Sequence, residues 1–150
     1  MTFYLSGAQY GIDILQVQEI NKLQKWTPVP HSDAFVLGIL SLRGSIVTII
    51  DLGRKLGLDR TKISHDSRTI IVKLEEQCVG FLVDVIGNVT TVNWDRVCQP
   101  PANVNGVEGC FLEGVLKTEE SLITLLNMKE VFKEVELKSQ AKPSSQEGRV

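Results

Sequence analysis

The stretch AFVLGILSLRGSIVTIIDLGRKL, Ala34 to Leu56, lies without a gap over CFLEGVLKTEESLITLLNMKEVF, Cys110 to Phe132. Phe35 matches Phe111, Gly38 matches Gly114, Leu40 matches Leu116, Ser45 matches Ser121 and Thr48 matches Thr124, all as identities. Each copy reads as two short apolar, β-branched runs followed by the start of a capped helix. Asp51 is the cap in the first copy and Asn127 stands at the same place in the second.

A weaker match extends the repeat toward the N-terminus. FYLSGAQYGIDILQVQEI, Phe3 to Ile20, lies over VKLEEQCVGFLVDVIGNV, Val72 to Val89, pairing Gly11 with Gly80, Val17 with Ile86 and Ile20 with Val89. The chain therefore reads as two copies of hairpin, connector, hairpin and capped helix. An isolated half of roughly sixty residues would bury only about 60% of its surface, so the halves are expected to pack on each other. The expected fold class is all-β: two pseudo-symmetric, small, five-stranded β-barrels sharing an apolar interface, with a few short helices. The expected boundaries are a single domain over residues 1–132, with halves at about 2–57 and 69–132, and a frayed or partly helical tail over 133–150.

Apolar runs at Phe3 to Leu5, Tyr10 to Leu15, Gly38 to Leu42, Ile46 to Ile50, Arg68 to Leu74, Val79 to Ile86, Val115 to Leu116 and Leu122 to Leu126 predict strands. Tyr10 to Leu15 alternates as a half-buried strand does, and Ser6 to Gln9 turns it back on Phe3 to Leu5. Asp51 predicts the cap of a short helix that Gly57 ends. Asn127 and Glu130 have the spacing of a capping box before MKEVF, and a helical extension could run to Leu137.

Composition narrows the function classes. Charged residues are 23% and hydrophobic residues 43% of the chain, enough to bury a core without disulfides, metal or cofactor. Sixteen Lys and Arg against eighteen Asp and Glu leave a formal charge of −2, which offers no footprint for nucleic acid or anionic lipid. Cys78, Cys98 and Cys110 are odd in number and have no C-x-x-C spacing, which fits a reducing cytosol. The start MTFYLSGAQYG lacks the charged and apolar regions of a secretory signal, and no run approaches the roughly 20 apolar residues of a membrane span. The expected location is cytoplasmic.

Catalytic and metal-binding readings find little support. Asp13, Asp51 and Asp84 lie in or beside apolar runs, where caps or exposed strand faces account for them. His31 and His65 sit in connectors without a Cys or His at ligand spacing, so no metal site is expected. No phosphate-cradling glycine loop and no nucleophile motif occurs. Cys78 reads as core, while Cys98 and Cys110 flank a loop and could be either core or surface. Trp26 and Trp94 raise the rival reading of a small barrel stacking single-stranded bases, which the acidic balance opposes. Plugging a barrel end or serving a protein interface is the better account of both.

The copies differ most at one turn. Leu42-Arg43-Gly44 of the first copy stands where the second has Thr118-Glu119-Glu120, a polar turn. A polar change that leaves the apolar pattern intact is not demanded by the fold. Two readings stand: Arg43 contacts a partner, with Gly44 admitting close backbone approach, or Arg43 forms an intramolecular salt bridge with Glu19.

GILSLRGSIVTIIDLGRKLGL, Gly38 to Leu58, resembles the signature segment of the CheW family, G-x-x-N-L-R-G followed by an apolar strand and a D-L-R helix. Tyr10 to Ile20, Thr27 to Pro30, Val79 to Val89 and Glu113 to Asn127 agree in order, so the resemblance covers Phe3 to Phe132. It implies a pair of SH3-like or OB-like barrels, with strands exchanged between them in one form of the fold. It also implies a non-enzymatic adaptor without cofactor or metal, coupling methyl-accepting chemoreceptors to a CheA-type histidine kinase in bacterial chemotaxis. The implied partners are the helical cytoplasmic tip of a chemoreceptor and the regulatory domain of the kinase, with recruitment to the inner membrane face through receptor arrays. Carried over by motif, receptor contact falls on Val17 and Glu19, on Arg43 and Gly44, and on Ile86 and Val89. Ser41 for Asn, Gly53 for Arg and Asn88 for an acidic residue depart from the pattern, and a gliding or twitching pathway is the alternative setting. The absence of an attached receiver or kinase domain leads to the expectation of a stand-alone adaptor.

Overall fold

Apolar alternation and turn residues build the strands, and the structure, a computed structural model, describes residues 1–133 of the chain. The expected helical extension to Leu137 and the rest of the tail lie outside the described residues. Strands β1 (Thr2–Leu5) and β2 (Ala8–Gly11) form the opening hairpin, and β3 (Val17–Lys22) follows it. Next come β4 (Val36–Leu42), β5 (Ser45–Asp51) and helix α1 (Leu52–Lys55). The second copy contributes β6 (Arg68–Leu74), β7 (Gln77–Val83) and β8 (Val85–Ile86). Short strands β9 (Val97–Cys98), β10 (Asn103–Val104) and β11 (Val107–Glu108) precede β12 (Leu112–Lys117) and β13 (Leu122–Leu126), and residues 128–133 are helical.

The class is all-β, and five strands of the two large sheets correspond in order. One has the order β3-β6-β7-β5-β4 and the other β8-β1-β2-β13-β12-β9. The registers coincide under the sequence match. Thr48 faces Val79 and Ile49 faces Gly80 in the parallel pairing of β5 with β7, just as Thr124 faces Tyr10 and Leu125 faces Gly11 in that of β13 with β2. At the outer edge Val17 faces Val72 in one sheet and Ile86 faces Phe3 in the other. Even the irregularities recur: the register shifts between Val36 and Gly38 in β4 and between Leu112 and Gly114 in β12. Each sheet joins an opening hairpin from one copy to a closing hairpin from the other.

One sheet has six strands rather than the expected five. β9 pairs with β12 through Cys98 and Val97, whereas its first-copy counterpart makes a single bridge, Thr27 to Ile39. Pro28 and Pro30 follow Thr27 and have no amide to extend the pairing.

Burial follows the same duplication. The main cluster takes matched residues from both copies, such as Ile50 with Leu126, Leu52 with Met128, Leu56 with Phe132, and Phe81 with Ile12. Each fully buried aliphatic side chain of this kind contributes on the order of 1.5–3 kcal/mol. Two smaller clusters are counterparts, Val47 and Ile49 in one sheet and Ile123 and Leu125 in the other. The helix starts are tied alike, since the Asp51 amide donates to the Phe35 carbonyl and the Asn127 amide to that of Phe111, each at 2.8 Å. Lys55 lies where the second copy has Val131, its ammonium 4.9 Å from the Phe35 ring centroid and 5.2 Å from that of Phe111. It thus touches matched aromatics of both copies.

Three local expectations need correction. The strand expected over Tyr10 to Leu15 stops at Gly11, because the Asp13 carboxylate accepts from the Leu15 amide at 2.9 Å and starts a 3-10 turn over Ile14–Gln16. Leu15 is consequently exposed. The capping box at Asn127 does not close: its side chain caps the amides of Lys129 and Glu130, but Glu130 pairs with Lys133 at 2.9 Å. Finally, β3 and the β10–β11 hairpin are strands that the apolar runs do not announce.

Candidate functional site

Leu42 and Ser45 face each other across the end of the β4–β5 hairpin, leaving Arg43 and Gly44 as a two-residue turn. Their φ values, 51° and 82°, give the both-positive pattern of a type I′ turn, which matches the twist of the strands it joins. Gly44 is therefore required by the turn, and a side-chain carbon there would meet nothing of this chain within 4 Å. The matching turn of the second copy is closed by Thr118 and Ser121, with the Thr118 amide donating to the Ser121 carbonyl at 2.8 Å. It needs no glycine.

The turn carries Arg43 out over β3. Its guanidinium meets the Glu19 carboxylate at 3.0 Å, with side-chain exposures of 83% for Arg43 and 19% for Glu19. The other Glu19 oxygen accepts from the Asn21 side chain at 2.8 Å. Both carboxylate oxygens are thus held within the chain, while most of the forked Arg43 donors face solvent. An ion pair this exposed contributes roughly 0–1 kcal/mol to stability. Its effect is to orient Arg43.

Glu19 and Arg43 line a shallow hollow of about 220 Å³ with Gln18, Ile71, Lys73 and Cys78. The Cys78 thiol donates to the Gln18 side-chain carbonyl at 2.9 Å. Burial first, and the Glu19 charge after it, push this thiol above its ordinary range although Lys73 pulls the other way. It is a poor nucleophile, since the thiolate is the reactive form. The three carboxylates considered at the sequence level have structural partners: Asp13 and Asp51 cap turns, and Asp84 accepts from the Ser6 amide at 2.9 Å.

The remaining expected contact residues lie elsewhere. Val17 and Ile86 occupy matched positions on the outermost strands of the two sheets, and both pack against the main cluster. Val89 is 65% exposed and lines a second hollow of about 350 Å³ with Ile14, Trp94, Asp13 and Glu113. The structure therefore joins Glu19, Arg43 and Gly44 at one place and sets Val89 at another. Gln16 lines the second hollow and Gln18 the first, so Val17 stands between them. Sequence reading missed Ile14 and Leu15, which are exposed beside this tract together with Trp94, which it gave as a barrel plug or a protein-interface residue. The Asp13 cap was the available signal for the first two.

A CheW-like domain model matches residues 1–136 of the chain. The chain belongs to the CheW family. The chemotaxis protein CheW of Treponema pallidum is 33% identical over 145 residues, covering 94% of this chain and 85% of the relative. That of Rhizobium meliloti is 32% identical over 133 residues, covering 88% and 85%. The crystal structure of the scaffolding protein TtCheW from Thermoanaerobacter tengcongensis superposes with a TM-score of 0.80 at 34% identity, covering 87% of this chain and 84% of that one. CheW proteins are chemotaxis scaffolds, and this chain has their β-rich fold.

Two departures from the CheW pattern have structural correlates. A side-chain carbon at Gly53 would stand 3.3 Å from the Asp59 carbonyl and 3.5 Å from the Asp51 carboxylate, so the loop after α1 folds closely over the helix start. At Asn88 the main-chain carbonyl accepts from the Thr2 amide at 3.1 Å and its hydroxyl at 2.6 Å, while the residue as a whole is exposed. No helix among the described residues is long and apolar enough to cross a membrane.

Proposed function

We propose that this CheW-family chain is a non-catalytic coupling scaffold that links the helical cytoplasmic tip of a chemoreceptor to a CheA-type histidine kinase. It works in the cytoplasm and is held at the inner membrane face through the receptors. Receptor contact is assigned to Val17, Glu19, Arg43, Gly44, Ile86 and Val89. The observation that carries this reading is Arg43, which is exposed at a turn tip yet oriented by a carboxylate that Asn21 holds in turn. A receptor helix laid across Val17 would set an apolar residue beside Val89 and a carboxylate at Arg43. Apolar anchors supply most of the affinity in such helix-in-groove binding, and charges fix its register. The regulatory domain of the kinase is assigned to the sheet ends.

Arg43→Glu is expected to weaken association with a receptor signalling fragment by about tenfold or more, since it sets a like charge against Glu19 and against an acidic receptor side chain. Its unfolding free energy should stay within about 0.5 kcal/mol of the parent, as for most surface substitutions. Co-sedimentation with the receptor fragment and a urea melt measure the two. Unchanged co-sedimentation of a folded Arg43→Glu protein overturns the assignment.

A further inference from the structure

The hollow beside Val89 has two carboxylates in its wall, Asp13 and Glu113. Both depart from the duplication, because Asp13 matches Leu82 and Glu113 matches Leu37. Leu82 is buried and Leu37 packs against the smaller cluster of its sheet, so the fold accepts leucine at these positions. The acids are additions to the repeat rather than demands of it.

They are not equivalent. One Asp13 oxygen caps the Ile14–Gln16 turn, and the field of Asp13 reaches the Met1 ammonium, which donates to the Ile12 carbonyl at 3.0 Å. Glu113 is the extra residue at the β12 bulge, and its side chain has no ion pair or hydrogen bond among the described residues. Burial first, and the Asp13 charge after it, push its carboxyl above the usual range. A cation placed there would offset the Asp13 charge and favour the ionised Glu113 carboxylate. The walls suit a cation on an apolar stem: Ile14 and Val89 offer exposed aliphatic surface, and the Trp94 ring is 60% exposed.

We infer that this hollow receives a Lys or Arg side chain of the receptor tip helix, with Glu113 as its counter-ion. The inference rests on the coupling function proposed above and adds the chemistry of the partner at a second point. The helix then carries a basic residue for Glu113 in addition to the acidic residue that meets Arg43, and these two side chains fix its polarity along the tract.

The test is a calorimetric titration of a soluble chemoreceptor signalling-tip fragment into the parent chain, Glu113→Gln, Glu113→Leu and Arg43→Glu, each at low and high salt. Glu113→Leu copies the residue of the first repeat, and Glu113→Gln preserves shape, so a thermal melt should find both folded. Each Glu113 variant is expected to bind about three- to tenfold more weakly at low salt, with the difference shrinking at high salt. Parent-like or tighter binding by the Glu113 variants, with Arg43→Glu still weakened, overturns the basic-residue assignment and leaves the coupling function standing. Equal binding by all four proteins, or none by the parent, overturns both.

Discussion

Gly38→Ala is expected to destabilise the protein by about 3 kcal/mol, at the upper end of the range for overpacking a closed site. A side-chain carbon at Gly38 would overlap the Thr27 carbonyl oxygen and stand 2.7 Å from Cδ1 of Trp26. The obstacle is backbone, held by the reciprocal Thr27 and Ile39 hydrogen bonds of 2.8 Å, and it cannot rotate away. Gly114→Ala should cost nearly as much for the same reason, since its new carbon would overlap Val97 and stand 2.9 Å from the Cys98 carbonyl oxygen. Gly44→Ala is the control: its φ of 82° is unfavourable for alanine by roughly 1–2 kcal/mol, but nothing lies in its way. Urea unfolding of the three variants measures the difference. Gly38→Ala within about 0.5 kcal/mol of the parent would remove the close approach of residues 26 and 27 to β4.

Asp51→Ala should cost a similar amount, about 3 kcal/mol, as buried hydrogen bonds to a charged group do when the acceptor is removed. Asp51 is only 1% exposed and accepts from the Arg54 amide at 3.3 Å, the Thr61 amide at 2.9 Å and the Thr61 hydroxyl at 2.7 Å. One carboxylate thus caps α1 and pins the loop that returns over it. Asp51→Asn should lose about half as much, because one oxygen remains to accept. The second copy shows an asparagine in the capping role, as Asn127 accepts from the amides of Lys129 and Glu130 at 3.1 and 3.4 Å. Hydrogen exchange should find the Thr61 amide losing protection in Asp51→Ala ahead of the β5 amides. Equal stability of all three proteins would mean that the loop is not tied through Asp51.

What could be read from the sequence is what the backbone imposes on side chains. Gly38 and Gly114 coincide because both strands pass close under a neighbouring chain, and the apolar pairs coincide because both copies feed one cluster. β3 escaped notice because its polarity is inverted: Glu19 and Asn21 are the half-buried side chains and Ile20 is exposed. A reading based on apolar alternation finds no inward face there. The β10–β11 hairpin did have a signal, Asn105-Gly106, whose φ values of 52° and 91° repeat the turn geometry of Arg43 and Gly44. At the site, the Glu19 partner of Arg43 was one of two readings open from the sequence. The second hollow was illegible, because Asp13, Val89, Trp94 and Glu113 are brought together only by the pairing of strands distant in sequence.

The most direct test of the coupling function is a reconstitution of this chain with a receptor signalling fragment and a CheA-type kinase, reading kinase autophosphorylation. Receptor control of the kinase should appear only when the parent chain is added and should fail with Arg43→Glu at equal concentration. Receptor control that is the same with and without the chain would contradict the account.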